Sequence, residues 1–304
     1  MNILITGASG LIGTALTKAF TANGHSVYAM ARDSEQDSIN PQPFYWQPKH
    51  KMIRFDTSVK IDIVINLAGE NIADRRWTAN SKAKFWQSRI DSTRLLAEAL
   101  ATLEHKPALF ISGSAIGFYG DTGDTIVDER SEAGNDFLAQ LSVAWEQATA
   151  AASESGIRTV HLRTGIVLSP NGGALQRMLL PFKLGLGGAL GNGQQYMSCI
   201  SLYEAVKIIQ FIISRENIQG AVNVVSPEAV TNRTFTKTLG AVLKRPTFFT
   251  ITAPIARFVF GEMADHLLLS GARVKPSVLI EHGYKFNDNN LSAALERSLL
   301  KPSN

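Results

Sequence analysis

A single cysteine, Cys199, stands in the whole chain, so no internal disulfide can form and a reducing compartment is expected. Runs of Lys and Arg are equally absent. The densest basic cluster is Arg75-Arg76 beside Trp77, and the formal charge over 304 residues is +4. That pattern points to small anions such as phosphates and away from nucleic acid. The six histidines are scattered, and no His/Cys/Asp group has ligand spacing, which argues against a metal. No apolar stretch is long enough to span a bilayer, and no basic leader precedes the first strand. The expectation is a cytoplasmic protein with neither signal peptide nor membrane partner. What is present is 45% hydrophobic and 18% charged, the balance of a folded globular chain.

The first thirteen residues organise the rest. Asn2–Ile5 reads as a short buried strand, and Leu11 to Ala22 as a helix stopped by Asn23-Gly24. Between them Gly7, Gly10 and Gly13 form a G-x-x-G-x-x-G turn. Gly7 permits the sharp turn, Gly10 permits a backbone to approach a pyrophosphate, and Gly13 lets helix and strand touch. The helix N-terminus offers free N–H groups and a partial positive charge to that phosphate. A dinucleotide is the expected ligand. At the tip of the next strand, Ser26–Ala31, an NAD enzyme usually carries a carboxylate for the ribose 2′-hydroxyl. Here Ala31 and then Arg32 stand there, and an arginine pairs with a 2′-phosphate, so the cofactor expected is NADP.

Further strands are predicted at Met52–Phe55, Ile61–Leu67, Leu109–Ser112 and Thr159–Leu162, with Asn40–Pro48 as an extended connection. Thr78 is read as the cap of a long helix to Leu103, interrupted near Asp91-Ser92, with Lys82, Lys84 and Arg89 on a solvated face. A second helix covers Phe137–Ser153. Strands alternating with helices imply a doubly wound, mostly parallel α/β sheet. After Ser169 the texture changes: Asn171–Gly173 and Gly185–Gly193 read as glycine-rich connections. A helix at 203–213 and a strand at 221–225 return to the sheet. Helices to Lys244 (capped by Thr231), at Pro254–Ser270 and at Leu291–Leu300, and a strand at Thr247–Ile251, make a smaller unit. The boundaries expected are 1–168 for the dinucleotide domain, returning at about 200–226, and 169–304 for the smaller C-terminal, substrate-side domain.

Thr6–Gly13, Asn66–Gly69, Ser112–Gly120 and Arg163–Gly165 together resemble the extended short-chain dehydrogenase/reductases, a Rossmann family that includes nucleotide-sugar epimerases. Asn66–Trp77, Arg163–Leu168 and the tail, Gly271–Pro276 with Gly283–Phe286, resemble more closely an atypical branch called epimerase family proteins. The resemblance implies that Gly7, Ser9, Gly10, Leu11, Ile12 and Gly13 cradle the pyrophosphate. It implies that Leu67, Ala68 and Gly69 line the adenosine side, and that Thr164, Gly165, Ile166 and Val167 lie near the nicotinamide. Ser112 falls with the cofactor residues at the end of its strand. Ser114 falls where epimerases bind the reacting substrate oxygen, and Tyr119 belongs to the Tyr-Gly that ends the motif. The family also implies a homodimer through the helices near 78–103 and 134–155.

Two departures from the family stand out. The Tyr-x-x-x-Lys pair that supplies its acid/base and its cation falls at about Leu138 and Ser142, neither of which can do that work. The branch's Trp-Ile-His-x-Asp-Asp-like stretch appears as Cys199-Ile-Ser-Leu-Tyr-Glu204. The expected function is thus an NADP-binding epimerase or oxidoreductase acting on an unknown small, nucleotide-sugar-like substrate. Its acid/base would be non-standard, Ser114 with Tyr119, the tyrosine activated by Arg163 or Lys82. The alternative is a non-catalytic NADPH-binding regulator.

Overall fold

Apolar runs without polar alternation, such as Ile63–Asn66, are buried on both faces and so form parallel strands covered by helices on each side. The computed structural model of the chain describes residues 1–32, 44–74 and 76–300, with the backbone alone at Ala31 and Arg32. Six strands make the central sheet: β1 (Asn2–Thr6), β2 (Ser26–Ala29), β3 (Ile63–Asn66), β4 (Leu109–Ala115), β5 (Arg158–Thr164) and β6 (Gly220–Val224). All are parallel, in the order β6-β5-β4-β3-β1-β2. Because side chains alternate along a strand, Ile3 and Ile5 enter one core layer and Leu4 the other. The first layer joins Leu16 and Phe20 of the helix Leu11–Ala22 to Ile208, Ile209 and Ile212 of the helix Leu202–Ser214. The second joins Val64 and Phe110 to Leu96, Leu100 and Ala152. β2 and β3 flank β1 on opposite sides, so the chain order reverses there and a crevice opens beyond the carboxyl ends of β1 and β3.

The long helix is divided as its sequence suggests. Thr78 caps Ala79–Trp86 through a reciprocal box with Ser81, a π-turn spans Gln87–Asp91, and Ser92–Thr102 resumes the α-helix. Other expectations are corrected. Met52–Phe55 stays out of the central sheet and pairs antiparallel with Phe44–Gln47, a strand within the stretch read as a connection. The stretch after Ser169 contains a helix, Gly173–Lys183, behind the glycines that read as a loop. The segment Pro254–Ser270 is two helices, Ala253–Phe260 and Glu262–Leu267, parted at Gly261, whose φ of +63° suits glycine.

The C-terminal half has its own apolar cluster, in which Leu168, Leu175, Phe182, Phe235, Leu239 and Leu295 meet. Glu204, fully buried, fastens the tail. Its carboxylate accepts from the Tyr284 hydroxyl and from the backbone N–H groups of Asn287 and Asp288, both at 2.9 Å. The unusual Cys199–Glu204 stretch is therefore an internal joint. Among the described residues no helix is long and apolar enough to cross a membrane.

Candidate functional site

At the crevice the three glycines are there for different reasons. Gly7 has φ +68°, and a Cβ there would come within 2.8 Å of the Leu67 carbonyl. A Cβ on Gly13 would come within 2.2 Å of the Gly7 oxygen. Both are demanded by the fold. Gly10 is exposed, and its Cβ would meet only the Gly7 oxygen, at 3.2 Å. It also caps a helix that has no side-chain cap and no acidic residue in its first turn. The donors that begin the helix are thus open to an anion, with Ser9 exposed beside them.

A buried polar chain holds the two strand ends in place. The Thr6 hydroxyl donates to Asn66 Oδ1 at 2.6 Å and accepts from the N–H groups of Leu67 and Ala68 at 3.1 and 3.2 Å. Asn66 Nδ2 donates to Thr93 Oγ1 at 2.8 Å, and Trp145 Nε1 reaches the same oxygen at 3.0 Å. This network fixes the direction in which Leu67-Ala68-Gly69 leaves β3. Buried groups so satisfied make a rigid platform. These residues fit a dinucleotide: the open, uncapped helix start and the glycine turn lie at the strand ends where such ligands sit.

Farther along the crevice lies a cleft of about 370 Å³ between the sheet and the C-terminal half. Ser114, Leu138, Ser142 and Trp145 form one wall, Thr164 to Ile166 another, and Tyr196 and His266 close it from the C-terminal side. The Ser114 hydroxyl donates to Glu146 Oε1 at 2.7 Å. That carboxylate is gripped by Arg163, Nε to Oε1 at 2.8 Å and Nη2 to Oε2 at 2.9 Å. Arg163 lies 3.4 Å from the Phe118 ring centroid, and its Nη1 donates to the Tyr119 hydroxyl at 3.0 Å. Tyr119 in turn donates to Asn223 Oδ1 at 2.8 Å. Trp145 rests on Gly113, where a Cβ would come within 2.9 Å of its ring.

Ser114 therefore lines the cleft, while Tyr119 is buried and is absent from its lining. The cation expected to activate Tyr119 is present in Arg163, yet burial outweighs it and pushes the phenol up to about 12. Lys82 is engaged instead with Glu262. Since the folded value lies above the ordinary 10, Tyr119 contributes stability present below pH 10 and lost as the pH rises toward 12. Spectrophotometric titration of Tyr119→Phe should lose one late phenol, and the variant's stability should fall less steeply over that window. A Tyr119 that ionises at or below pH 10 would refute this.

The remaining expected residues divide by placement. Leu67 is partly buried, Ala68 is buried, and Gly69 is exposed at the crevice. Leu11 packs under Gly172, and Ile12 and Val167 rest against the core. Thr164, Gly165 and Ile166 line the cleft, although Gly165 also has an internal reason, since a Cβ would approach the Ser198 oxygen to 2.3 Å. Ser112 is fully buried, its hydroxyl turned to the Gly113 carbonyl at 3.3 Å. The backbone of Arg32 sits in the two-residue strand Ala31–Arg32, paired with Tyr45–Trp46, and its side chain lies outside the described residues, as does all of Arg75. The motifs did not single out Thr93, Trp145, Glu146 or Arg89 as site residues. A polar side chain within an apolar helical stripe, as at Thr93, was the one available signal.

Residues 3–225 match the profile of the NAD dependent epimerase/dehydratase family, and residues 251–298 match a domain of unknown function, DUF1731. An epimerase family protein of Mycobacterium bovis is 43% identical over 300 residues, 99% of this chain and 98% of its own. The crystal structure of human epimerase family protein SDR39U1 (isoform 2) with NADPH superposes with a TM-score of 0.88 at 31% identity, over 99% of this chain and 100% of that one. A nucleoside-diphosphate sugar epimerase from Corynebacterium glutamicum superposes with a TM-score of 0.80 at 32% identity, over 98% of this chain and 58% of the other.

Proposed function

The chain belongs to the NAD dependent epimerase/dehydratase family, and from that premise we propose that it is an NADP-binding oxidoreductase of epimerase type acting on a small hydroxyl- or carbonyl-bearing substrate. One observation carries the reading: the fold combines an exposed glycine and an uncapped helix start with a cleft that has a serine hydroxyl on its wall. Gly7, Ser9, Gly10, Leu11, Ile12 and Gly13 would hold the pyrophosphate, Leu67–Gly69 the adenosine side, and Thr164–Val167 the nicotinamide side. Residues 1–168, with the return at about 200–226, would bind the dinucleotide, and 169–304 would close the substrate side. Once bound, the cofactor supplies hydride transfer.

Ser114 is assigned to orient the substrate oxygen. Its own proton is directed to Glu146, so its lone pairs face the cleft free to accept a substrate O–H. Glu146 is held by Arg163, which fixes the serine rotamer. The second reading, a non-catalytic NADPH-binding regulator, is favoured by two other residues of the same wall. Leu138 is apolar, and the Ser142 hydroxyl donates to the Leu138 carbonyl at 2.8 Å, so neither replaces the family's acid/base pair.

The NADP choice rests on Arg32 and on the absence of a carboxylate at the tip of β2, and the NADPH-bound human relative supports it. Calorimetric titration should give tighter binding of NADPH than of NADH, and Arg32→Asp should abolish the difference. Equal affinities in the unmodified protein would dispose of the preference.

A further inference from the structure

Arg89 is the odd residue of the cleft. It stands in the π-turn Gln87–Asp91, an irregularity that turns its side chain from the helix surface toward the crevice. A Cβ on Gly69 would lie 3.1 Å from its Cζ, and its guanidinium stacks 5.1 Å from the Trp145 ring centroid. Nη1 is buried and has no hydrogen-bond partner among the described residues. Burial lowers the guanidinium to about 10, which leaves it charged at neutral pH. Glu70 is the carboxylate whose charge reaches it, while Arg163 is matched by Glu146 and Lys82 by Glu262. Among the described residues no other Lys or Arg lines the cleft.

We propose that Arg89 anchors the carboxylate of a small substrate with an apolar body, and that this cleft does not take a nucleotide sugar. The proposal rests on the dinucleotide reading above and names the substrate class of that same site. A guanidinium is the planar, two-pronged donor that suits a carboxylate, and a desolvated one left without an acceptor favours an anion strongly. Ile72, Leu138, Leu141 and Trp145 supply apolar lining, among polar groups that include Ser142, Tyr196 and Asp136, whose carboxylate accepts from the Ala139 N–H at 2.8 Å. A nucleotide sugar brings a diphosphate, whose charge the one cation among the described lining residues does not balance. Arg89 and Ser142, where the family's lysine is missing, line the same cleft, so a positive charge reaches it from the neighbouring helix.

The test uses calorimetry on the full chain, first with NADPH alone and then, with the protein saturated in NADP⁺, with acetate, benzoate, phenylpyruvate and methyl phenylpyruvate. Phenylpyruvate should bind more tightly than acetate, and its methyl ester at least about tenfold more weakly than the free acid. Arg89→Gln should lose that tenfold preference while keeping its melting behaviour and binding NADPH within about threefold of the unmodified protein, and Arg89→Lys should retain part of it. The proposal is overturned if no carboxylate binds, if the ester binds as well as the acid, if UDP-glucose binds better than phenylpyruvate, or if Arg89→Gln loses NADPH binding in step, which would give the guanidinium to the cofactor. Failure of the underlying reading is distinguishable, because the unmodified protein would then show no heat with NADPH in the first titration.

Discussion

Gly10→Val should give a folded protein that no longer binds dinucleotide. The valine side chain meets little of its own chain, since the position is exposed and a Cβ finds only the Gly7 oxygen at 3.2 Å. A pyrophosphate lying on the helix start would meet the new methyl groups at once. The expected loss of NADPH affinity is at least about 100-fold, or about 2.8 kcal/mol at 1.4 kcal/mol per tenfold. Gly13→Val makes the control. Its Cβ would fall 2.2 Å from the Gly7 oxygen, so helix and turn must separate, with a stability loss of about 3 kcal/mol. One glycine thus serves the ligand and the other serves the fold, and chemical denaturation with calorimetry separates them. Normal NADPH binding by a folded Gly10→Val protein would move the phosphate site elsewhere.

That distinction between two glycines of one motif was not legible in the sequence, although the motif was. Local signals gave local structure: Asn23-Gly24 ends the first helix and Thr78 caps the second. Where flanking residues disguised a segment, the reading failed. Gly172 and Gly173 hid the amphipathic run that follows them, and prolines around Phe44–Gln47 hid the central strand of a separate small sheet. The site was half visible for a related reason. Ser114 and Tyr119 are the right residue types, but what each hydroxyl does depends on partners far along the chain, Glu146 for one and Asn223 for the other. Arg89 read as part of a solvated face because regular helical spacing put it there; the π-turn shifts that spacing. Desolvation likewise decides the Tyr119 phenol against the pull of Arg163, and no motif carries burial.

The ion pair behind Ser114 should therefore be the most sensitive point of the site's frame. Arg163 and Glu146 have side chains only 6% and 12% exposed, so water does little to screen either charge once its partner is gone. Arg163→Met leaves Glu146 a buried carboxylate without its cation and takes the guanidinium donor from Tyr119. The expected loss is about 3–5 kcal/mol. For a chain of this length that corresponds to a fall in melting temperature on the order of 10 °C. Replacing both, as Arg163→Met with Glu146→Leu, removes the uncompensated charge and should recover part of the loss, because two apolar side chains of similar volume can pack where the pair stood. Ser114 keeps an unanchored Glu146 as acceptor in the single variant and has none in the double, so a substrate that depends on its orientation should still be turned over poorly by the stabilised double variant. Stability regained without that function would separate the two tasks of the pair, holding the end of β5 to the helix Phe137–Gln147 and aiming the serine. An Arg163→Met protein that melts like the unmodified one would mean that the charges are hydrated and that Ser114 is held by something else.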